Sequence, residues 1–248
     1  MNFKYLLILF MTLTFKSYAQ NNSAGHIRNG VYKFEGTLGN KMPISMWFVM
    51  KDSVLKGELI YQNTIKRQPI TILGTLDKTG EIDFNEFTKT GHVTGEFYAM
   101  LKSNMLDGLW INPVTEKTFK YLLKRKDTTI TAESKNLDPE EINGEYEFDN
   151  TGMQGGIDIK HISGNDYLIA IDCVTLPKGN VAEVEKTKVR INGNTIIYAT
   201  PDCTNKYRIR LFKDFIVIDN IVYGNCFGIG ADVSGVFIKT KAKPSFEN

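Results

Sequence analysis

Among the residues able to do chemistry, the cysteines have the most informative spacing. Cys203 and Cys226 bracket CTNKYRIRLFKDFIVIDNIVYGNC, an alternating stretch that turns once at Lys213-Asp214. A zinc site needs ligand pairs spaced as C-x₂₋₄-C or H-x₃₋₅-H, and a redox motif needs C-x-x-C. Neither pattern occurs, and no histidine follows His161. The pair reads instead as a disulfide across the open end of a hairpin. If Phe212 pairs with Phe215 around a two-residue turn, paired positions sum to 427 and Cys203 faces Gly224. Strict register leaves the two sulfurs too far apart, and Asn220, Gly224 and Asn225 predict an irregular strand end that closes the gap. Such a bridge closes a loop of about 24 residues, worth roughly 3 kcal/mol by chain entropy. Cys173 shares a face with Tyr167, Ile169 and Ile171 and reads as a buried apolar thiol.

The remaining candidates carry less. His26, His92 and His161 lie in no nucleophile motif; G-x-S-x-G and H-E-x-x-H are both absent. Gly228-Ile229-Gly230 precedes a strand pattern rather than a helix, so it reads as a strand crossing and not a phosphate cradle. Glu81, Asp83 and Glu86 are expected on solvent-exposed strand faces. No catalytic residue, metal ligand or cofactor site is assigned, and the chain reads as a non-enzymatic protein. Trp47, flanked by Met46 and Phe48, and Trp110, near a strand end after Gly108, are the candidate ligand-binding residues. An exposed tryptophan on a β surface suits a sugar or a protein partner; the alternative is packing against loops or the other half.

The chain opens MNFKYLLILFMTLTFKSYAQ, with Lys4 before an apolar run from Tyr5 to Phe15 and a small-residue end at Ser17-Tyr18-Ala19. This predicts a signal peptide over residues 1–19, and hence an exported protein, periplasmic or secreted. Eleven apolar residues rise only about 16 Å as a helix, roughly half a bilayer core. After Gln20 no apolar run approaches a membrane span, so the mature form is expected to be soluble. An oxidising compartment is where paired cysteines form disulfides. Lys4 and Lys16 leave with the leader, so the remaining chain has 28 basic and 28 acidic residues. Those charges are dispersed through alternating segments, which argues against nucleic acid as a partner.

From Gly30 the sequence is a series of short period-two segments punctuated by Gly, Asn and Asp, eight of them before Arg125. Such alternation predicts half-buried antiparallel strands. Residues 126–143, KDTTITAESKNLDPEEIN, interrupt it and read as an acidic linker with one helical turn at Asp138-Pro139-Glu140-Glu141. The strand pattern then restarts at Gly144-Glu145-Tyr146 and closes with VSGVFIKTK. Gly30 to Arg125 spans 96 residues and Gly144 to Lys241 spans 98, so each half has room for eight strands and a core of its own. An open sheet of that size leaves edges exposed, and closing it removes them. Gly57, Gly74 and Gly95 fall on the inward phase, where a coiled strand is crowded. The expected fold is all-β, two tandem antiparallel barrel-like domains over 30–125 and 144–241, with paired β-sandwiches as the alternative.

The first half resembles small exported bacterial barrels of the lipocalin or avidin-like kind. The likeness rests on the opening Gly30-Val31-Tyr32 and the recurring steps Gly57-Glu58-Leu59 and Gly95-Glu96-Phe97, although the lipocalin G-x-W opening is absent. The second half is similar to secreted β-rich domains that end in a cysteine, a hairpin, Cys226-Phe227-Gly228 and Gly235-Val236-Phe237. The resemblance implies a binding role in the envelope and carries over no functional residues. The expected function is binding of a small molecule or glycan in a barrel mouth; the alternative is a protein-binding module such as a secreted hydrolase inhibitor. The first should present an apolar cavity of a few hundred Å³ at one end, the second filled interiors and a protruding loop.

Overall fold

The computed structural model describes residues 29–102, 104–130, 137–201, 203–224 and 226–247. The expected leader over 1–19 and His26 lie outside the described residues. The first half contains β1 (Gly30–Leu38), β2 (Met42–Lys51), β3 (Val54–Tyr61), β4 (Ile70–Leu76), β5 (Glu81–Phe87), β6 (Val93–Lys102), β7 (Met105–Ile111) and β8 (Thr118–Ile130). After a short helix α1 (Pro139–Ile142) come β9 (Gly144–Asp149), β10 (Met153–Ser163), β11 (Asp166–Thr175) and β12 (Asn180–Arg190). The chain finishes with β13 (Thr195–Ala199), β14 (Lys206–Leu211), β15 (Phe215–Val222), β16 (Gly235–Lys241) and a 3-10 turn at Ser245–Glu247.

Both halves are antiparallel meanders in which the last strand returns to the first. In the first half β8 pairs with β1 and the sheet closes into an eight-stranded barrel. In the second half β16 pairs with β9, giving an eight-stranded barrel-like sheet in the order β12-β11-β10-β9-β16-β15-β14-β13. Its opening falls between β12 and β13, which stand at the two ends of the sheet order; the Asn192–Thr195 bridge lies in the turn that connects them. The closed barrel is filled. Phe34 and Phe48 stack at 5.6 Å, Phe84 and Phe97 at 4.4 Å, within one cluster running from Tyr32 to Leu123. The inward glycines admit these rings: a Cβ on Gly57 would lie 2.7 Å from Phe48 Cβ.

The β14–β15 hairpin has the expected register. Leu211 pairs with Ile216 and Tyr207 with Asn220; then a bulge shifts the pairing to Lys206 with Val222. That slip lets Cys203 and Cys226 bond, with their Cα atoms 5.6 Å apart. Cys173 is buried, and burial pushes its thiol up to about 12, which keeps it an inert core group.

One boundary and one local reading differ from expectation. The first barrel ends at Ile130 rather than Arg125, because β8 must match the full length of β1: Gly30 pairs with Ile130 and Val31 with Thr129. The β-branched Thr128-Thr129-Ile130 run suits a strand. Of the expected linker over 126–143, residues 131–136 lie outside the described residues, and the helical turn stands where Asp138 accepts from the Glu140 amide. Gly228-Ile229-Gly230 is not a strand crossing. It sits in the turn-rich connection between β15 and β16, because β15 stops at Val222.

The halves are joined by packing as well as by the chain. Val54, Leu73 and Phe87, on outward positions of the first barrel, and Val93, which pairs with Phe87 after a register shift in β5–β6, belong to the same buried cluster as the core of the second half. Phe87 and Phe148 rings lie 6.2 Å apart. Beside them the Asp149 amide donates to Gly91 O at 3.2 Å, and His92 Nδ1 lies 3.1 Å from Asp149 Oδ2. Gly91 (φ +80°) cannot carry a side chain, since a Cβ would lie 2.8 Å from Glu147 O. On the other flank buried Arg210 donates to Asp52 O at 2.7 Å while its guanidinium pairs with Asp219 at 2.8 Å.

Candidate functional site: a cleft between the halves

The two seams leave a cleft of about 810 Å³ between them. One wall is the end of the second half. The hairpin tip supplies Leu211, Phe212 and Phe215, the β12–β13 connection Ile191 and Asn194, and β11 Tyr167, with Ile142 of α1 alongside. Phe212 and Phe215 stack nearly parallel, with centroids 4.3 Å apart, because the tight turn at Lys213-Asp214 sets them face to face. α1 is fixed in place by Tyr146, whose hydroxyl donates to Ile142 O at 2.6 Å, and by Lys239 Nζ donating to Glu141 O at 2.8 Å.

The opposite wall is the outer face of β2 and β3 in the first barrel. Period two brings Trp47, Val49 and Lys51 outward on β2, and Val54, Lys56 and Glu58 outward on β3. Trp47 is cross-strand from Glu58, and its indole Nε1 donates to Glu58 Oε2 at 3.1 Å, which fixes the ring plane. Lys56 crosses to the other half. Its Nζ lies 2.5 Å from Asp214 Oδ2 and 5.6 Å from the Phe215 ring centroid.

The lining contains no histidine, serine or cysteine among the described residues; its ionisable and hydroxyl side chains are Lys51, Lys56, Glu58, Thr71 and Tyr167. Aromatic and aliphatic walls with a few polar groups are the usual lining of small-molecule pockets. His161 stands outside the lining, with Nε2 3.0 Å from Gly164 O and its ring 5.1 Å from Tyr167.

The two candidate tryptophans have different environments. Trp47 walls the cleft. Trp110 points into the first barrel and is 9 % exposed. It meets a group that the sequence reading misplaced: Glu86 is not on a solvent face but 2 % exposed inside the barrel. Its phase is that of Ile82 and Phe84, and that parity was the signal. Tyr61 donates its hydroxyl to Glu86 Oε1, and Thr94 Oγ1 donates to Oε2 at 3.3 Å. Trp110 Nε1 approaches the same carboxyl without a hydrogen bond of good geometry. Gly95 makes room for both, since a Cβ there would collide with the indole nitrogen and the carboxylate. Burial pushes the Glu86 carboxyl above its usual range, and the surrounding donors pull it back only in part.

Because the folded state holds Glu86's proton more tightly than the unfolded chain, this group contributes stability at low pH. That contribution is lost as pH rises from the unfolded carboxyl value, about 4.3, through the raised folded value. Glu86→Gln should remove this fall. Urea midpoints measured from about pH 4 to about pH 8 should show the variant gaining on the parent as pH rises. Parallel profiles would mean that Glu86 is not the group responsible.

Fold and cleft together define an all-β protein of two eight-stranded barrel-like halves with a small-molecule-sized cleft at their junction. No family model, curated protein or solved structure matches the chain. Among the described residues no helix is long and apolar enough to cross a membrane.

Proposed function

We propose that the protein is an exported, non-enzymatic binding protein that holds a small molecule in the cleft where the second half's mouth faces the first barrel. One observation carries the reading: a cavity of about 810 Å³ walled by Trp47 on one side and by Phe212, Phe215 and Ile191 on the other. That volume is within the range of small-ligand pockets. Export rests on the leader pattern of residues 1–19 and fits the Cys203–Cys226 disulfide. The site differs from a lipocalin-like calyx, because the first barrel's interior is occupied by its own side chains.

The test uses 1-anilinonaphthalene-8-sulfonate as probe. The protein should enhance its fluorescence with a single saturable site. Val49→Trp, which adds bulk at the cleft wall on an outward strand position, should weaken binding by about tenfold or more. Non-saturable enhancement, or equal affinity in the Val49→Trp variant, would contradict the reading.

A second reading is supported by the connection after β15. Tyr223 and Ile229 are 80 % and 95 % exposed, yet the segment is held by the disulfide and by Asn180 Nδ2 donating to Ile229 O at 2.6 Å. Rigid exposed apolar groups of this kind suit a protein partner, as in an inhibitor loop.

A further inference from the structure

We propose that the ligand is an amphiphilic anion, its apolar body against the second half's mouth and its acidic head at Lys56. The inference rests on the binding role of the cleft and adds the chemical class of its occupant. Most of the lining is apolar, so the body of the ligand is hydrocarbon or aromatic. The charged groups of the lining are Lys51, Lys56 and Glu58. Glu58 is tied to the Trp47 N–H on the first-barrel wall, whereas Lys56 is the lining cation that reaches the aromatic wall, at Phe215.

Lys56 is the head-group site because of its position. Its ammonium hangs over Phe215, so a carboxylate bound there leaves the attached chain next to the stacked Phe212–Phe215 rings. Its present partner, Asp214, is exchangeable: the side chains of Lys56 and Asp214 are 43 % and 52 % exposed, and ion pairs at that exposure contribute little. The pair spans the two halves, with Lys56 on β3 and Asp214 in the β14–β15 turn. An incoming anion takes over a cation already held at the cleft instead of having to bring its own counter-charge.

Three probes with ten-carbon chains separate the alternatives: decanoate, decanol and decyltrimethylammonium, each titrated against the full chain by calorimetry. Decanoate should bind most tightly, and its affinity should fall as salt is raised. Lys56→Met, which keeps the aliphatic stem, should weaken decanoate roughly two- to fivefold and leave decanol unchanged. Asp214→Asn, which removes the competing carboxylate, should strengthen decanoate binding. Equal binding of all three probes, or equal loss of decanoate and decanol in Lys56→Met, overturns the anion assignment while the cleft stands as a binding site. Failure of every probe to bind overturns both.

Discussion

Phe87→Asp should destabilise the protein by more than about 3–5 kcal/mol, the usual cost of truncating a buried aromatic ring alone. Phe87 is on the outward phase of β5, where a strand of an isolated barrel would carry a polar residue. It is 3 % exposed because the second half covers it, and its ring lies against Phe148. Aspartate there loses the ring's apolar burial and leaves a carboxylate in an apolar seam, a further cost. The sum is comparable with the whole stability of a typical domain, about 5–15 kcal/mol. Val54, Leu73 and Val93 share this cluster, so the two halves should unfold together in the parent protein. Circular dichroism, which reports both halves, and tryptophan fluorescence, which reports only the first, should give one midpoint. In Phe87→Asp that midpoint should fall sharply. A loss below about 1 kcal/mol would mean that the halves do not depend on this seam.

Gly57→Val should prevent the first barrel from forming. The Cβ of residue 57 points inward at β2, where it would strike the Trp47 carbonyl and lie 2.7 Å from Phe48 Cβ. Backbone, not a flexible side-chain end, is in the way, so relief requires the β2–β3 pairing to open, and barrel closure needs that pairing. The expected result is loss of soluble folded protein, with emission from Trp110 shifted to that of a solvated indole. Gly228→Ala is the control. A Cβ there meets nothing within 4 Å, so its melting curve should match the parent's. A folded Gly57→Val protein with native fluorescence would contradict the packing described for the barrel interior.

The same residues show what a sequence can reveal. Gly57, Gly74 and Gly95 were legible as interior glycines because each falls on the apolar phase of its strand and supplies no side chain of its own. The hairpin register was legible because alternation on both arms leaves one two-residue turn that keeps both apolar faces together. The bulge at Lys206-Tyr207 was legible only as an irregularity, since its position is set by where the sulfurs meet. Glu86 was misplaced because its charge was given more weight than its phase. The cleft was not legible at all: Trp47 and Phe215 are distant in sequence and meet only when one half docks on the other. The docking nonetheless left a trace. Val54, Leu73, Phe87, Phe215 and Val217 are apolar at positions whose phase points outward, and such residues mark a strand face covered by a neighbour.

The cleft's role is tested most directly by locating a bound ligand. Nuclear Overhauser contacts should be recorded between decanoate and the protein with its aromatic side chains assigned. The binding account predicts contacts from the hydrocarbon chain to the rings of Phe212, Phe215 and Tyr167, and from the chain to the Trp47 indole. Trp110, enclosed in the filled barrel, should give none. Contacts confined to the exposed loop at Tyr223 and Ile229, or reaching Trp110 inside the first barrel, would contradict it.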